Sequence, residues 1–127
     1  MKRVLAICFI FILISCSSEF GNKIIGGELT VYYIEESDVN KAEKVAIFWK
    51  ENQLLSGEKQ DIQLIKNDKG YVLKLISDDL ENTQNMSFDE RKLLLDLQKS
   101  IKDTIFPDNS LELVICNSKF EPIYNLN

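Results

Sequence analysis

The chain has 127 residues, enough for one domain of ordinary size and too few for two, and its 45% hydrophobic and 28% charged residues argue against disorder, collagen or a coiled coil. It contains no histidine, which excludes imidazole metal ligands and catalytic pairs built on histidine. Its formal net charge of −5 argues against nucleic acid as a partner, because nucleic acid selects basic surfaces.

The first fifteen residues have the organisation of a secretory signal peptide. Lys2 and Arg3 precede an uninterrupted apolar run from Val4 to Ile14. Eleven apolar residues in a helix span about 16 Å, roughly half of the hydrocarbon core, so the run is too short for a permanent transmembrane anchor. We therefore predict a signal peptide over residues 1–15.

The sequence Leu13-Ile14-Ser15-Cys16 has the form of a bacterial lipobox, and through residues 1–16 the chain resembles the bacterial lipoproteins. The resemblance implies transfer of diacylglycerol to the Cys16 thiol, cleavage between Ser15 and Cys16, and acylation of the new amine. At about 0.8 kcal/mol per buried CH₂, two or three acyl chains would hold the protein on a bilayer. We expect an extracytoplasmic, lipid-anchored protein of the cell envelope, on the inner or the outer membrane. The alternative is a secreted protein cut nearby.

Processing at this site changes the composition of the chain. Cleavage removes fifteen residues, including Lys2 and Arg3, and leaves 112 residues with a formal net charge of −7. Cys116 would then be the only cysteine without lipid, so no intrachain disulfide could form. We interpret Cys116 as a small apolar strand residue, with a reactive thiol or an intermolecular disulfide as the alternatives.

Residues 16–27 are expected to be the lipidated cysteine and a flexible tether, since Gly21 and the Gly26-Gly27 pair interrupt regular structure. Residues 28–127 are expected to form a single α+β domain. The first predicted elements are a strand over Leu29–Ile34 and a helix over Val39–Leu55, which is capped by Ser37-Asp38 and closed by Gly57. A hairpin follows, with strands over Asp61–Lys66 and Tyr71–Ile76 around an Asn67–Gly70 turn, and then a loop over Ser77–Asn85. The last elements are a helix from the capping box Ser87–Glu90 to Phe106-Pro107, a strand over Leu111–Cys116, and a tail.

The order β-α-β-β-α-β predicts a ferredoxin-like fold, with two helices on one face of a four-stranded antiparallel sheet. Alternation predicts which side chains face the helices: Leu29, Val31, Tyr33, Ile62, Leu64, Tyr71, Leu73, Leu75, Leu111, Leu113 and Ile115. The opposite face has no helix to cover it, and it is more apolar than contact with solvent alone requires. The Tyr32-Tyr33 strand, the helix ending in Leu54-Leu55-Ser56-Gly57 and the Ile62–Lys66 strand also resemble a small domain of uncharacterised bacterial envelope proteins. This similarity covers roughly residues 28–116 and implies no site residue.

No catalytic motif is present: the chain has no glycine-rich phosphate loop and no Cys-x-x-Cys. Asp78, Asp79 and Glu81 lack the spacing of a calcium loop and are interpreted as a solvated acidic loop. Trp49 is interpreted as a core residue. The sequence therefore predicts a protein that is not an enzyme and that uses no cofactor or metal.

The predicted function is interaction with another envelope protein. The predicted contact surface is the uncovered sheet face, at Tyr32, Ile34, Val72, Ile76 and Val114, or an edge strand. Two alternatives remain open. One is a self-associating spacer that buries the same face in a homodimer, and the other is an inhibitor or immunity-type protein whose −7 charge occludes a basic site.

Overall fold

The computed structural model describes residues 19–55 and 57–126, so the predicted signal peptide and Cys16 lie outside the described residues. The strands are β1 (Asn22–Gly26), β2 (Leu29–Tyr33), β3 (Gln60–Asn67), β4 (Gly70–Ile76), β5 (Ser110–Cys116) and β6 (Pro122–Asn125). The helices are α1 (Val39–Glu51), preceded by a 3₁₀ turn at Glu36–Asp38, then α2 (Leu80–Gln84) and α3 (Phe88–Ile105). Within the described part of the chain, no helix combines the length and the apolar character needed to cross a bilayer.

The six strands form one mixed sheet and lie in it in the order of the sequence. Strands β2 and β3 are parallel and are connected by α1, while β4 and β5 are parallel and are connected by α2 and α3. The other neighbouring pairs are antiparallel, and the β3–β4 hairpin occupies the centre of the sheet. The long helices α1 and α3 contact each other, which places both on the same face.

The predicted ferredoxin-like fold is wrong. In that fold each helical crossover passes over one strand position, which another strand fills, so every neighbouring pair is antiparallel. Here each crossover returns to the adjacent position, so β2/β3 and β4/β5 are parallel pairs. The hydrophobic pattern of a strand does not encode how many positions a crossover spans. The sheet also has six strands instead of four, because β1 and β6 extend it at both edges.

Both additional strands lie in segments for which the sequence predicts no regular structure. Residues 22–26, assigned to the tether, pair with β2, and Gly26 opposite Leu29 leaves a two-residue hairpin loop. Gly27 in this loop has φ +66°, a conformation that glycine adopts without steric cost. The glycine pair that suggested a flexible tether is therefore part of a hairpin turn.

At the other edge, the tail returns along β5 as β6. The Asn117 side chain organises the turn, since its Oδ1 accepts hydrogen bonds from the backbone N–H of Lys119 at 2.9 Å and of Glu121 at 3.1 Å. Beyond β6, Leu126 is fully buried, and its carbonyl accepts a hydrogen bond from Arg91 Nη2 at 2.5 Å. The tail is thus held by both backbone pairing and core burial.

The predicted helix-facing side chains form the main core, together with the inner sides of α1 and α3. Nine of the eleven predicted positions belong to its buried cluster, Leu75 packs against that cluster half-buried, and Ile115 is also buried. Trp49 is 4% exposed within the same core, which confirms its interpretation as a core residue.

Some local predictions are confirmed and others are wrong. The Ser87 hydroxyl accepts a hydrogen bond from the Glu90 N–H at 3.2 Å, as the capping box predicts, and α3 ends at Ile105 before Phe106. The Ser37-Asp38 cap is not formed, because the Asp38 side chain makes no capping hydrogen bond. The first long helix stops at Glu51 instead of Leu55, and the predicted loop after β4 contains the short helix α2.

Candidate functional site

The side of the sheet opposite the helices, here called the open face, carries the predicted contact residues. Strand register aligns Tyr32, Gln63, Lys74 and Val114 in a row across β2 to β5 on this face. A polar pair thus occupies the middle of the row, between an aromatic and an aliphatic residue.

Three aromatic rings meet above this row, and Phe20, Tyr32 and Phe120 are called the aromatic cluster below. Their ring centroids lie 5.1 to 5.9 Å apart, and each pair packs edge to face. The Gln63 side chain donates from Nε2 to the Phe20 carbonyl at 3.0 Å, and Lys74 donates from Nζ to the Phe120 carbonyl at 3.1 Å. The polar side chains of the sheet therefore hold the two segments that cross it.

Most of the predicted contact residues are buried or half-buried. Val72 and Val114 are each 7% exposed and form a small second hydrophobic cluster with the fully buried Cys116. Tyr32 and Ile76 are half-buried, and only Ile34 is well exposed, at 54%. The five predicted residues therefore do not form one continuous exposed surface. Two phenylalanines, from the predicted tether and tail, fold back onto this face and pack on Tyr32.

The signal for this covering was present in the sequence as two isolated aromatic residues. Phe20 lies between Glu19 and Gly21, and Phe120 lies between Lys119 and Glu121. A large apolar side chain in a polar segment gains free energy by packing, about 1.5 to 3 kcal/mol when fully buried. Such residues indicate contact with the domain more than a solvated tether.

An acidic environment surrounds Tyr32 on the open face. Burial raises the pKa of the Tyr32 phenol, and the charges of Asp61 and Glu19 raise it further. The Asp61 Oδ1 atom is buried and has no hydrogen-bond partner. The phenol therefore stays neutral at physiological pH, and the surroundings of Tyr32 do not prepare it to act as a base.

A depression of about 520 Å³ lies where β3 begins and β4 ends, with Asp61 in its wall. Trp49 is among the residues that line this depression, and hydrogen bonds hold its ring in place. Its Nε1 donates to Gln60 Oε1 at 3.1 Å, and Gln60 Nε2 in turn donates to the Leu54 carbonyl at 3.2 Å. Within residues 19–55 and 57–126, no three Cys, Asp or Glu side chains are grouped so that they could hold a metal ion. The predicted acidic loop contributes Asp78 to the lining of this depression.

At the opposite end of the sheet, a buried tyrosine and carboxylate form a pair. Tyr71 donates its hydroxyl proton to Asp38 Oδ1 at 2.8 Å, and both residues are nearly inaccessible, at 5% and 4% exposure. The ammonium groups of Lys41 and Lys66 lie 5.5 and 5.7 Å from the centre of the Tyr71 ring. Burial, with the Asp38 hydrogen bond, raises the pKa of Tyr71 to about 12. This phenol is thus a structural donor and stays protonated.

The Cys116 thiol is fully buried on the open-face side of the sheet. Burial raises the pKa of the thiol, while the charge of Lys74 partly opposes the effect. A thiol that is both protonated and shielded is a poor nucleophile. The structure therefore supports the interpretation of Cys116 as a small apolar strand residue.

The largest exposed apolar side chains on the helices were not among the predicted contact residues. Phe88 is 78% exposed and Leu93 is 69% exposed on α3, and Ile47 is 54% exposed on α1. The apolar stripe of α3 from Leu94 to Ile105 predicts the buried side of that helix and does not identify exposed apolar residues such as Phe88 and Leu93.

The chain belongs to the AF_1994_N family, since residues 23–127 match the family N-terminal domain. The matched range starts within β1 and includes β6, so both edge strands belong to the family domain. The family is uncharacterised, and the match supplies no activity or ligand. No match was found among curated proteins or among solved structures.

Proposed function

We propose that this protein is a lipid-anchored accessory protein of a bacterial cell envelope, which acts by contact with another envelope component and not by catalysis. The observation that carries the proposal is the lipobox ending at Cys16, four positions before Phe20, whose ring packs on the domain. In this arrangement the predicted lipid would be attached only a few residues before the folded domain, so it would hold the domain close to the membrane.

The chemistry of the described residues supports contact over catalysis. The chain has no histidine. The pKa values of Tyr71, Tyr32 and Cys116 are all raised, which moves these groups away from proton transfer or nucleophilic attack at neutral pH. The Lys99–Asp103 ion pair on α3, at 2.7 Å, is solvent-exposed and follows the helical i, i+4 spacing.

Membrane attachment is tested by replacing Cys16 with alanine in the full chain. We expect the wild-type protein in the membrane fraction and the Cys16→Ala variant in the soluble fraction, because the variant has no thiol to carry lipid. The matched control is Ser17→Ala, which changes the next residue but leaves the thiol in place, and it should remain membrane-bound. A Cys16→Ala variant that stays in the membrane would contradict the proposal.

Contact with a partner is tested by placing a photoreactive residue in living cells, at Phe88 on the helical side and at Ile34 on the open face. We expect a discrete crosslinked product at one of the two positions. An aspartate at the same position should abolish partner capture without lowering the melting temperature, because both side chains are exposed. Smeared or absent products at both positions would refute a specific contact function.

Self-association is the second candidate, and β1 is the feature that favours it. This strand lies at the edge of the sheet, and Ile25 on it is 65% exposed, so its outer backbone could pair with a second copy. Sedimentation of the domain from Ser17 onward distinguishes the candidates, since a monomer at micromolar concentration would rule out the spacer. The inhibitor alternative instead predicts partner binding that weakens steeply with salt, because it relies on the −7 charge.

A further inference from the structure

The point at which the chain enters the domain is fixed on the open face. Phe20 packs edge to face on Tyr32 of β2 and on Phe120, with centroid separations of 5.6 and 5.1 Å. Its carbonyl is held by the side chain of Gln63, in the central strand β3. Any group attached just before Phe20 must therefore lie near this face.

Cys16 precedes Phe20 by only four positions. At about 3.3 to 3.6 Å per residue, four residues reach at most about 14 Å, even when fully extended. The Cα of Cys16 is therefore within about 14 Å of the Cα of Phe20. This limit is less than half of the ~30 Å that the predicted tether over residues 17–27 would allow, because the chain is already fixed on the sheet at Phe20.

The outer surface of the helices lies beyond this reach. Packed layers are about 10 Å apart, and a helix adds a radius of about 5 Å, so that surface is about 15 Å below the middle of the sheet. Phe20 lies on the other side of the sheet, which increases the separation further. Even a straight path through the protein would thus exceed the available chain, and a real path must go around the sheet edge.

We infer that the open face is the membrane-facing side of this protein, and that α1 and α3 point away from the bilayer. This orientation rests on the proposed lipid anchor at Cys16. The surface that meets the lipid includes Ile34, which lies beside Gly21 where the chain enters the domain. The Ile34 Cδ1 atom is 2.9 Å from the position that a Cβ on Gly21 would occupy. Ile25, on the same face of the neighbouring strand, is 65% exposed.

Charge on the open face does not explain the orientation. Lys23 and Lys74 lie on strands of this face, but the charges of Glu19 and Asp61 are close enough to raise the pKa of the Tyr32 phenol. The two signs offset each other, so the face has no excess of positive charge for anionic headgroups. The short chain between lipid and sheet sets the orientation. We therefore expect the same orientation on zwitterionic and on anionic vesicles.

The test compares two positions with equal exposure on opposite sides of the domain. Ile34 on the open face and Ile47 in the groove between α1 and α3 are both 54% exposed. Each residue is replaced by cysteine in the full chain, and the mature lipidated protein is purified from membranes. The introduced cysteine is labelled with an environment-sensitive fluorophore. The labelled protein is then reconstituted in phosphatidylethanolamine–phosphatidylglycerol vesicles that carry a nitroxide quencher on the headgroup. Cys116 is fully buried, so the introduced thiol takes the label.

We expect several-fold stronger quenching of the label at position 34 than at position 47. Insertion of a flexible Gly/Ser segment of about twenty residues between Ser18 and Glu19 should remove most of this difference, because the longer chain lets the domain turn over. Equal quenching at both positions, or stronger quenching at position 47, would overturn the orientation while leaving the lipid anchor in place. A wild-type protein found in the soluble fraction would instead overturn the anchor, and the orientation with it.

Discussion

Replacing Tyr71 with phenylalanine tests the buried hydrogen bond between Tyr71 and Asp38. The substitution removes the hydroxyl that donates to Asp38 Oδ1 at 2.8 Å and changes little else in the packing, which includes the ring of Phe106 at 4.8 Å. Asp38 is only 4% exposed, so water does not readily replace the lost donor. A hydrogen bond to a charged group contributes about 1.5 to 3 kcal/mol, and we expect Tyr71→Phe to lower the free energy of unfolding by that amount.

The raised pKa of Tyr71 gives a separate prediction for the dependence of stability on pH. The fold raises this pKa from 10.0 to about 12, so the folded protein binds the phenolic proton more tightly than the unfolded chain. A tenfold change in proton affinity is worth about 1.4 kcal/mol, so the contribution is about 3 kcal/mol at most. The contribution is complete below pH 10 and is lost as the pH rises from 10 towards 12. Tyr71→Phe should remove this part of the alkaline destabilisation.

Both effects can be measured by urea unfolding of the domain from Ser17 onward, with the single tryptophan, Trp49, as the fluorescent probe. Tyr124→Phe, on the edge strand β6, is the control for loss of a tyrosine hydroxyl elsewhere. A double-mutant cycle of Tyr71→Phe with Asp38→Ala isolates the pair, because alanine leaves no side-chain acceptor for the hydroxyl. A loss below about 0.5 kcal/mol in Tyr71→Phe, with no coupling in the cycle, would refute the assignment of a stabilising buried pair.

Three further predictions follow from the packing. Phe120→Ala should lower the free energy of unfolding by about 3 kcal/mol in urea, because Phe120 is 4% exposed and contacts Phe20. A loss below about 1 kcal/mol would contradict the packing of Phe120 in the aromatic cluster. Gly70→Ala should lower the free energy of unfolding by more than about 1 kcal/mol, since Gly70 has φ +145° and a Cβ there would lie 2.7 Å from the Ser110 carbonyl oxygen. An unchanged urea midpoint would disprove this close approach. Cys116 should react with a thiol reagent at pH ~8 far more slowly in the folded protein than in urea, because it is buried and its pKa is raised; equal rates would exclude its burial.

Local structure was predictable wherever a few neighbouring residues suffice. The Asn67–Gly70 turn and the Ser87 cap depend on side chains that bond to backbone two or three residues away, and both form as predicted. The core faces of β2 to β5 follow from alternation, which any strand with one buried side must show. These features required no knowledge of the sheet order.

The sheet order could not be read in the same way. The strands β2 and β3 would show the same alternation whether they were neighbours or were separated by another strand. Which strands pair depends on how the helices pack on the sheet and on how far each connection carries the chain. Both are properties of the whole domain. The strands β1 and β6 were not predicted because each lies beside glycines or polar residues, which indicate a tether or a turn.

The predicted contact surface shows the same division. Alternation placed Tyr32, Val72 and Val114 together on one face, but it could not show that Phe20 and Phe120 cover that face. Those two phenylalanines are one hundred positions apart in the chain, so no local pattern connects them. Their contact therefore required the three-dimensional structure.

The sequence by itself determined the absence of histidine and the acidic charge, and it supplied the pattern from which a signal peptide and a lipobox at Cys16 are predicted, because composition and short motifs need no fold. Only the tertiary structure decided that residues 22–26 of the predicted tether form strand β1 and that the chain enters the domain on the open face. The physical reason is that hydrophobic burial acts between segments that are distant in sequence. Phe20 gains contacts on a sheet completed only when β3 and the turn at Phe120 are in place.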